Sequence, residues 1–360
     1  MQLTIKNFKN KIKTILSPFI LYQKRDGNIY YGEYIGSFNF WRKFLWNIFH
    51  PKRLYNRFRH GQLFKFKKQK AIKFKKNLMA LSSSEDKEFD HTKLCNKFDE
   101  FLRYGGVVIQ EYFSDTKIQQ FLNKYSSEIE NIKNTKILQH NVVKQVQLKI
   151  SKELVEMWMD PKLMTFLSSF VGKEILARNY PYMQYHNAVD ETSSKLRYEK
   201  KITKAEGPDV WHIDTPFLIN LHVLLEDLSE EDCCMLYLPG SNKLANMGNL
   251  YSDESVKKSG IEPLKCIGKR GTVYLHEGNT LHKLRPKPGT NRVQLHFEFT
   301  FGGTILLDCY GISKCLSSES DLNTLSSYQR NIVRGIFPKK MNHGYEIKKE
   351  ALSPTKIIGI

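Results

Sequence analysis

From residue 292 to residue 300 the chain alternates without a break between polar and apolar side chains, RVQLHFEFT. A repeat of two is the period of a β-strand, whose successive side chains point to opposite faces. Val293, Leu295, Phe297 and Phe299 therefore form one apolar face, and Arg292, Gln294, His296 and Glu298 form the other. Four large apolar groups on one side oblige the strand to lie on a core, so the chain has to build a sheet covered by another layer. The polar side makes a second demand. A buried arginine needs an anion, and its planar fork matches a carboxylate better than lysine does.

Upstream, His212-Ile213-Asp214 has the spacing that lets two side chains of an extended segment project to the same side. A third neighbour on so short a segment cannot complete a facial arrangement, so the third ligand has to come from a distant strand. His282, seventy residues on, is placed for that. Two imidazoles and one carboxylate can occupy one face of an octahedral ferrous ion, leaving three adjacent positions for a chelating cosubstrate and for dioxygen. Taken singly each residue has a plainer reading: a chance HxD tripeptide, a loop histidine bonded to backbone, an edge-strand charge at Arg292. Their order and spacing favour the metal site, and the distal carboxylate of 2-oxoglutarate is the natural anion for Arg292.

Between the ligands, residues 234–243 (CMLYLPGSNK) read as a strand ending in a Pro-Gly-Ser turn. With WHID at 211–214 before it and TLH at 280–282 through Arg292 after it, this order of motifs resembles the phytanoyl-CoA dioxygenase family over residues 95–305. The resemblance implies a mainly β fold with flanking helices, its core a double-stranded β-helix of the jelly-roll or cupin-like kind. It implies Fe(II) held by His212, Asp214 and His282, 2-oxoglutarate anchored by Arg292, and dioxygen as oxidant. Asn242 departs from the family's usual histidine in the turn, and Gln294 stands where a small hydroxyl residue often follows the arginine.

The reaction so implied is hydroxylation of an aliphatic C–H bond, with release of succinate and carbon dioxide. Gln184 and Tyr185, on a strand over residues 175–188, are expected to reach the chelating end of the cosubstrate, as polar residues of that strand do in similar proteins. Thr280, two residues before His282, is expected to line the cosubstrate pocket. The substrate expected is a small molecule, a lipid or a lipid-linked saccharide. The competing reading is a β-helix module that holds a metal or a glycan without catalysis, tethered to a membrane. A complete ligand set with its arginine argues against that scaffold.

The chain carries a net charge of +19, but the charge is unevenly spread. Residues 1–80 hold nineteen Lys or Arg against only Asp26 and Glu33, a net +17. The remainder is nearly neutral, which argues against nucleic acid at the oxygenase site. Within this extension the cations interleave with Phe38, Phe40, Trp41, Phe44, Trp46, Phe49, Tyr55, Phe58, Phe64, Phe66, Ile72 and Phe74. Rings and cations without acids suit peripheral contact with anionic lipid. The same composition also suits a packed structural cap, or stacking on single-stranded nucleic acid.

No stretch approaches the roughly twenty apolar residues of a membrane span, and lysines interrupt the apolar runs that a signal peptide would need. The expected location is the cytoplasm, peripheral at the inner membrane face if the extension binds lipid. Six cysteines without CxxC spacing read as reduced thiols and not as a zinc ribbon. The expected organisation is a basic extension over 1–85, the oxygenase domain over 90–305 and a helical appendage over 306–360 that covers the barrel or joins a partner subunit. Helices are expected over 92–103, from an N-cap at Ser114 to about Lys133, and from the Asp160-Pro161 start to about Phe170. A strand over 217–228 places Asn220 and His222 on one face. The polar segments 190–209 and 246–263 read as insertions beside the site, the first as a candidate lid.

Overall fold

The computed structural model describes residues 23–25, 28–30, 65–81, 91–134, 143–172, 174–178, 181–187, 211–214, 218–243, 250–251, 253–285, 287, 289–300 and 324–333. The aromatic stretch over 38–64, the candidate lid over 190–209 and most of the appendage beyond residue 300 lie outside them.

Two antiparallel sheets form the centre. In chain order the strands are β1 (Gln23–Arg25), β2 (Asn28–Tyr30), β3 (Gly106–Ile109), β4 (Val143–Gln147), β5 (Leu176–Ala177), β6 (Tyr182–Asn187), β7 (Trp211–His212), β8 (Leu218–Leu224), β9 (Cys234–Tyr237), β10 (Leu250–Tyr251), β11 (Leu264–Cys266), β12 (Val273–Glu277), β13 (His282–Arg285) and β14 (Asn291–Thr300). β1 and β2 pair with each other and, among the described residues, with no other strand. The larger sheet has the order β3-β12-β8-β14-β6-β4 with β5 beside β14, and the smaller has β10-β7-β13-β9-β11. Val108, Leu224 and Tyr274 of the larger sheet pack against Met235, Tyr237 and Cys266 of the smaller, so the sheets meet face to face in a jelly-roll core.

The outer face of the larger sheet is apolar and lies under helices. Val293, Leu295, Phe297 and Phe299 of β14 join Ile219, Leu221 and Val223 of β8 in one cluster with helical residues, as the period of two requires. The helices are α1 (Lys67–Leu81), α2 (His91–Tyr104), α3 (Asp115–Lys124), α4 (Ser126–Asn134), α5 (Lys152–Trp158), α6 (Pro161–Val171), α7 (Asp253–Lys258) and α8 (Ser327–Val333). α1 comes from the basic extension yet shares this core. Phe74 of α1 stacks on Phe98 of α2 at 4.3 Å and meets Phe166 of α6 edge-on at 5.5 Å. Part of the extension is therefore a structural cap.

Local chemistry sets the helix ends. Ser114 accepts a hydrogen bond from the Lys117 amide, with Phe113 and Ile118 buried beside it. The helix expected to run on to Lys133 breaks at Tyr125 into α3 and α4, and the Tyr125 hydroxyl donates to the Lys149 carbonyl at 2.5 Å. At the head of α6 the Asp160 carboxylate accepts from the Leu163 amide at 2.9 Å and from the Tyr112 hydroxyl at 2.5 Å, with Pro161 in the first turn.

Gly105 marks where the helical layer enters the sheet. It has φ +74°, and a Cβ there would sit 2.4 Å from the Asn242 amide nitrogen and 2.7 Å from the Thr280 hydroxyl. Only glycine fits both the conformation and the space. The Pro-Gly-Ser turn is thereby packed against the segment leading into β13: the Ser241 hydroxyl accepts from the Leu281 amide at 2.8 Å, and Leu238 and Leu281 are joined through their backbones.

Asp160 ties the cap of α6 to the segment before α3, which gives a stability test. Asp160→Ala should cost about 2 kcal/mol, the cap plus one buried hydrogen bond. Asp160→Asn, which keeps an acceptor oxygen, should cost less than about 1 kcal/mol. Urea unfolding midpoints measure the difference, and equal losses would show that charge, not capping, matters at this position.

Candidate metal and cosubstrate site

The pairing of β7 with β13 builds the metal-capable cluster. His212 and His282 are direct cross-strand partners, with ring centroids 4.2 Å apart. Two residues beyond His212 the Asp214 amide donates to the Gly278 carbonyl at 2.7 Å, which turns the carboxylate back onto the pair. Its Oδ2 lies 3.5 Å from His282 Nε2, and its Oδ1 lies 4.0 Å from His212 Nε2. One ligand atom from each of the three residues falls within 4.8 Å of the others. The structure thus brings together the three residues that the sequence singled out, including the one from the distant strand.

The surroundings hold these groups in ligating form. His282 Nδ1 lies 2.9 Å from the Thr280 carbonyl, so it carries the proton and leaves Nε2 bare toward Asp214 and His212. Burial, with a smaller contribution from His212, lowers His282 to about 4. Burial alone would raise Asp214, but the facing His282, His212 and His276 and a hydrogen bond from Asn220 outweigh it and hold the carboxyl at about 2. That bond runs from Asn220 Nδ2 to Asp214 Oδ2 at 2.7 Å. At neutral pH the cluster is one carboxylate with a neutral His282, the state that binds a cation.

Arg292 lies in the same lumen, on the inner face of β14 opposite His186. It is fully buried, and none of its three guanidinium nitrogens has a hydrogen-bond partner among the described residues. An unpaired buried cation costs several kcal/mol. A dicarboxylate with one end at the cluster and the other on Arg292 would satisfy it, so the donor set fits both a ferrous ion and 2-oxoglutarate. Beside the arginine a hydrogen-bonded network lines the wall. The Tyr274 hydroxyl donates to Gln294 Oε1 at 2.5 Å, and Gln294 Nε2 donates to Gln184 Oε1 at 2.6 Å and lies 3.1 Å from His222 Nδ1.

Three expectations change on this geometry. Gln184 does face the lumen, but it pairs with Gln294, next to Arg292 and away from the Asn220–Glu298 row that adjoins Asp214. Tyr185 opposes Val293 and belongs to the apolar cluster under the helices, because consecutive strand residues cannot share a face. Thr280 turns its hydroxyl to the Gly105 carbonyl at 2.9 Å, so its part in the site is the backbone oxygen that orients His282. The insertion over 246–263 contributes β10, which pairs directly with β7 at His212, and Asp253, which accepts from the Trp211 indole at 2.7 Å.

Sequence reasoning missed His276. It lies on β12 opposite Asn220, with its ring 4.2 Å from that of His282, on a strand whose two faces are both buried. His222 stacks on Tyr274 at 4.4 Å and on His296 at 4.0 Å, extending a column of imidazoles through the lumen.

A family model described as phytanoyl-CoA dioxygenase matches residues 101–287, with His212, Asp214 and His282 inside the match. The chain belongs to the phytanoyl-CoA dioxygenase family. As in that family, the cofactors are Fe(II), 2-oxoglutarate and dioxygen, and the activity is of the oxygenase type. The match stops five residues before Arg292, so the arginine stands on geometry. Among solved structures the chain is similar to the epimerase SnoN in complex with Fe3+, alpha ketoglutarate and nogalamycin RO, at 12% identity and TM-score 0.44, over 63% of this chain and 93% of that one. It is similar to the carbocyclase SnoK from nogalamycin biosynthesis, at 15% and 0.41 over 57% and 83%, and to AviO1 from Streptomyces viridochromogenes Tue57, at 14% and 0.39 over 58% and 95%. No curated protein matches by sequence.

The buried imidazoles of this phytanoyl-CoA dioxygenase relative should make its stability fall in acid. Burial is the first cause in every case: it holds His186, His222 and His276 well below the ordinary value, His296 at about 3 and His282 at about 4. Their folded values lie below the unfolded value of about 6.5, so as pH falls through 6.5 the unfolded chain takes up protons that the native state refuses. Stability should be full above that pH and fall toward pH 4, each ring contributing up to about 1.4 kcal/mol per pH unit. Urea midpoints with chelator present, read from pH 7.5 to 5, test this. A flat profile would mean that these rings titrate in contact with water.

Proposed function

We propose that this protein is an Fe(II)- and 2-oxoglutarate-dependent dioxygenase that hydroxylates an aliphatic C–H bond of a small-molecule, lipid or lipid-linked saccharide substrate. The observation that carries this reading is a fully buried Arg292, without a hydrogen-bond partner among the described residues, in the same lumen as the His212, Asp214 and His282 cluster. His212, Asp214 and His282 would hold the iron, and Arg292 the far carboxylate of 2-oxoglutarate. When bound, the pair supplies the oxidising power by decarboxylating 2-oxoglutarate to succinate and carbon dioxide as dioxygen is consumed.

The chain's own part is positioning and exclusion of water. The Thr280 carbonyl fixes the His282 ring, and Asn220 holds the Asp214 carboxylate. The side chain of His282 is 4% exposed, whereas those of His212 and Asp214 are 22% and 27% exposed. The open side of the cluster is thus the β7 side, and a substrate would approach there.

Two variants test this reading together. Asp214→Ala should abolish iron-dependent succinate formation while urea unfolding stays cooperative. Arg292→Ala should raise the 2-oxoglutarate concentration needed for half-maximal turnover about 100-fold, the loss of a charge-assisted bidentate contact, with the iron requirement little changed. Normal turnover in the first variant, or an equal loss of both requirements in the second, would overturn the assignment.

We also propose that the outward face of α1 rests on anionic lipid. Lys68, Ile72, Lys75 and Met79 recur at helical spacing on the side away from the buried Phe74 and Leu78. Phe66, Ile72 and Met79 are 70%, 70% and 59% exposed. No acid occurs between Glu33 and Glu85, so nothing in this stretch offsets the cations, and each basic residue near a charged bilayer is worth about 1 kcal/mol. The protein should co-sediment with phosphatidylglycerol-containing vesicles at low salt, release at high salt, and lose at least about tenfold in binding on Ile72→Glu with Met79→Glu. Failure to bind those vesicles, or preference for an oligonucleotide, would refute it.

A further inference from the structure

Behind the Asp214 carboxylate a single file of hydrogen-bonded side chains runs through the barrel wall. Asn220 Nδ2 donates to Asp214 Oδ2 at 2.7 Å, and Asn220 Oδ1 lies 3.1 Å from His296 Nε2. His296 Nδ1 lies 2.5 Å from the Tyr182 hydroxyl, which is 2.9 Å from Glu298 Oε1, and Glu298 Oε2 lies 3.4 Å from Arg178. Asn220, His296, Tyr182 and Glu298 are all buried.

Donor and acceptor accounting fixes the protons along this file. An ionised carboxylate only accepts, so Asn220 has to present its amide nitrogen to Asp214 and its oxygen to His296. His296 Nε2 must then carry hydrogen. If the ring is neutral, Nδ1 is bare and the Tyr182 hydroxyl spends its one proton there. Glu298 Oε1, in contact with the same phenol oxygen, must then bring a proton of its own. With the phenol neutral, the other arrangement that satisfies every contact along the file is an imidazolium at His296 beside a carboxylate at Glu298. In both, the His296–Tyr182–Glu298 triad holds one proton more than a neutral ring and a free carboxylate would.

We propose that Glu298 keeps this proton at neutral pH and is a positioning residue, orienting Tyr182, His296 and Asn220 in turn so that Asp214 is presented to the metal in one fixed direction. Every donor in the file then points toward Asp214. Among the described residues the charged and titratable groups facing the triad are Arg178 from the segment after β5, His186 from β6, Asp214 from the end of β7, His222 from β8, His276 from β12 and His282 from β13. Burial favours the neutral form at both ends: it raises Glu298 against the opposing pull of Arg178, and it lowers His296. The proposal rests on the reading that His212, Asp214 and His282 form the metal site.

The test uses the full chain without iron, with Mn(II) as probe and the paramagnetic signal of the free ion as readout, alongside infrared spectra at neutral pH. Glu298→Gln preserves the donor to Tyr182 and should leave the Mn(II) dissociation constant within about twofold, while removing a protonated-carboxyl stretch that the wild type shows. Tyr182→Phe and Asn220→Ala interrupt the file and should weaken Mn(II) about 10- to 100-fold, the range found when groups that orient a metal ligand are lost. Absence of that stretch in the wild type, or weakening by Glu298→Gln as large as by Tyr182→Phe, would overturn the proposal. Asp214→Ala separates the two readings: if it binds Mn(II) as the wild type does, the metal assignment fails, whereas the infrared result still decides where the proton lies.

Discussion

Burial of β14 on both faces is the constraint from which the remaining architecture follows. Its apolar side has to be covered by helices and its polar side by a second sheet, which makes a helical layer, a seven-stranded sheet and a five-stranded sheet obligatory in that order. Once the second sheet is present, β7 and β13 lie inside it as neighbours, and His212 comes opposite His282. The metal-capable cluster is a consequence of strand pairing, with little left to loops.

The resulting lumen is unusually polar for a protein interior. Histidines, glutamines, an asparagine, a glutamate and an arginine sit where a β-sandwich ordinarily packs aliphatic groups. Most are reconciled by bonding to one another, as in the Tyr274–Gln294–Gln184 network. Single ring nitrogens of His186, His222 and His276 are left over, but among the described residues Arg292 has all three guanidinium nitrogens buried without a hydrogen-bond partner, and a cation so placed marks the position for an anion.

Legibility in the sequence tracked the range of the interaction responsible. The strand over 291–300, the caps at Ser114 and Asp160 and the His212–Asp214 pair are local patterns and could be read directly. Parity on β6 excluded a shared role for Gln184 and Tyr185 from the outset, since neighbours on a strand diverge; only register with β14 decided which of them entered the lumen. The Thr280 hydroxyl is claimed by a carbonyl 175 residues away, and no local pattern records that. His276 went unread because both faces of β12 are buried, so alternation there gives no inside and outside. At the break, the Tyr125 hydroxyl reaches the carbonyl of Lys149, a partner that no local pattern names.

The bond that aims His282 ends on a main-chain oxygen. The direction of that ligand is therefore a property of chain path and not of side-chain identity at position 280. Evolution can exchange residues around this turn while the imidazole keeps its bearing, but an insertion or deletion between Gly278 and Leu281 would swing the carbonyl and the ring with it. Length, more than composition, is what descent has to preserve in this corner of the barrel.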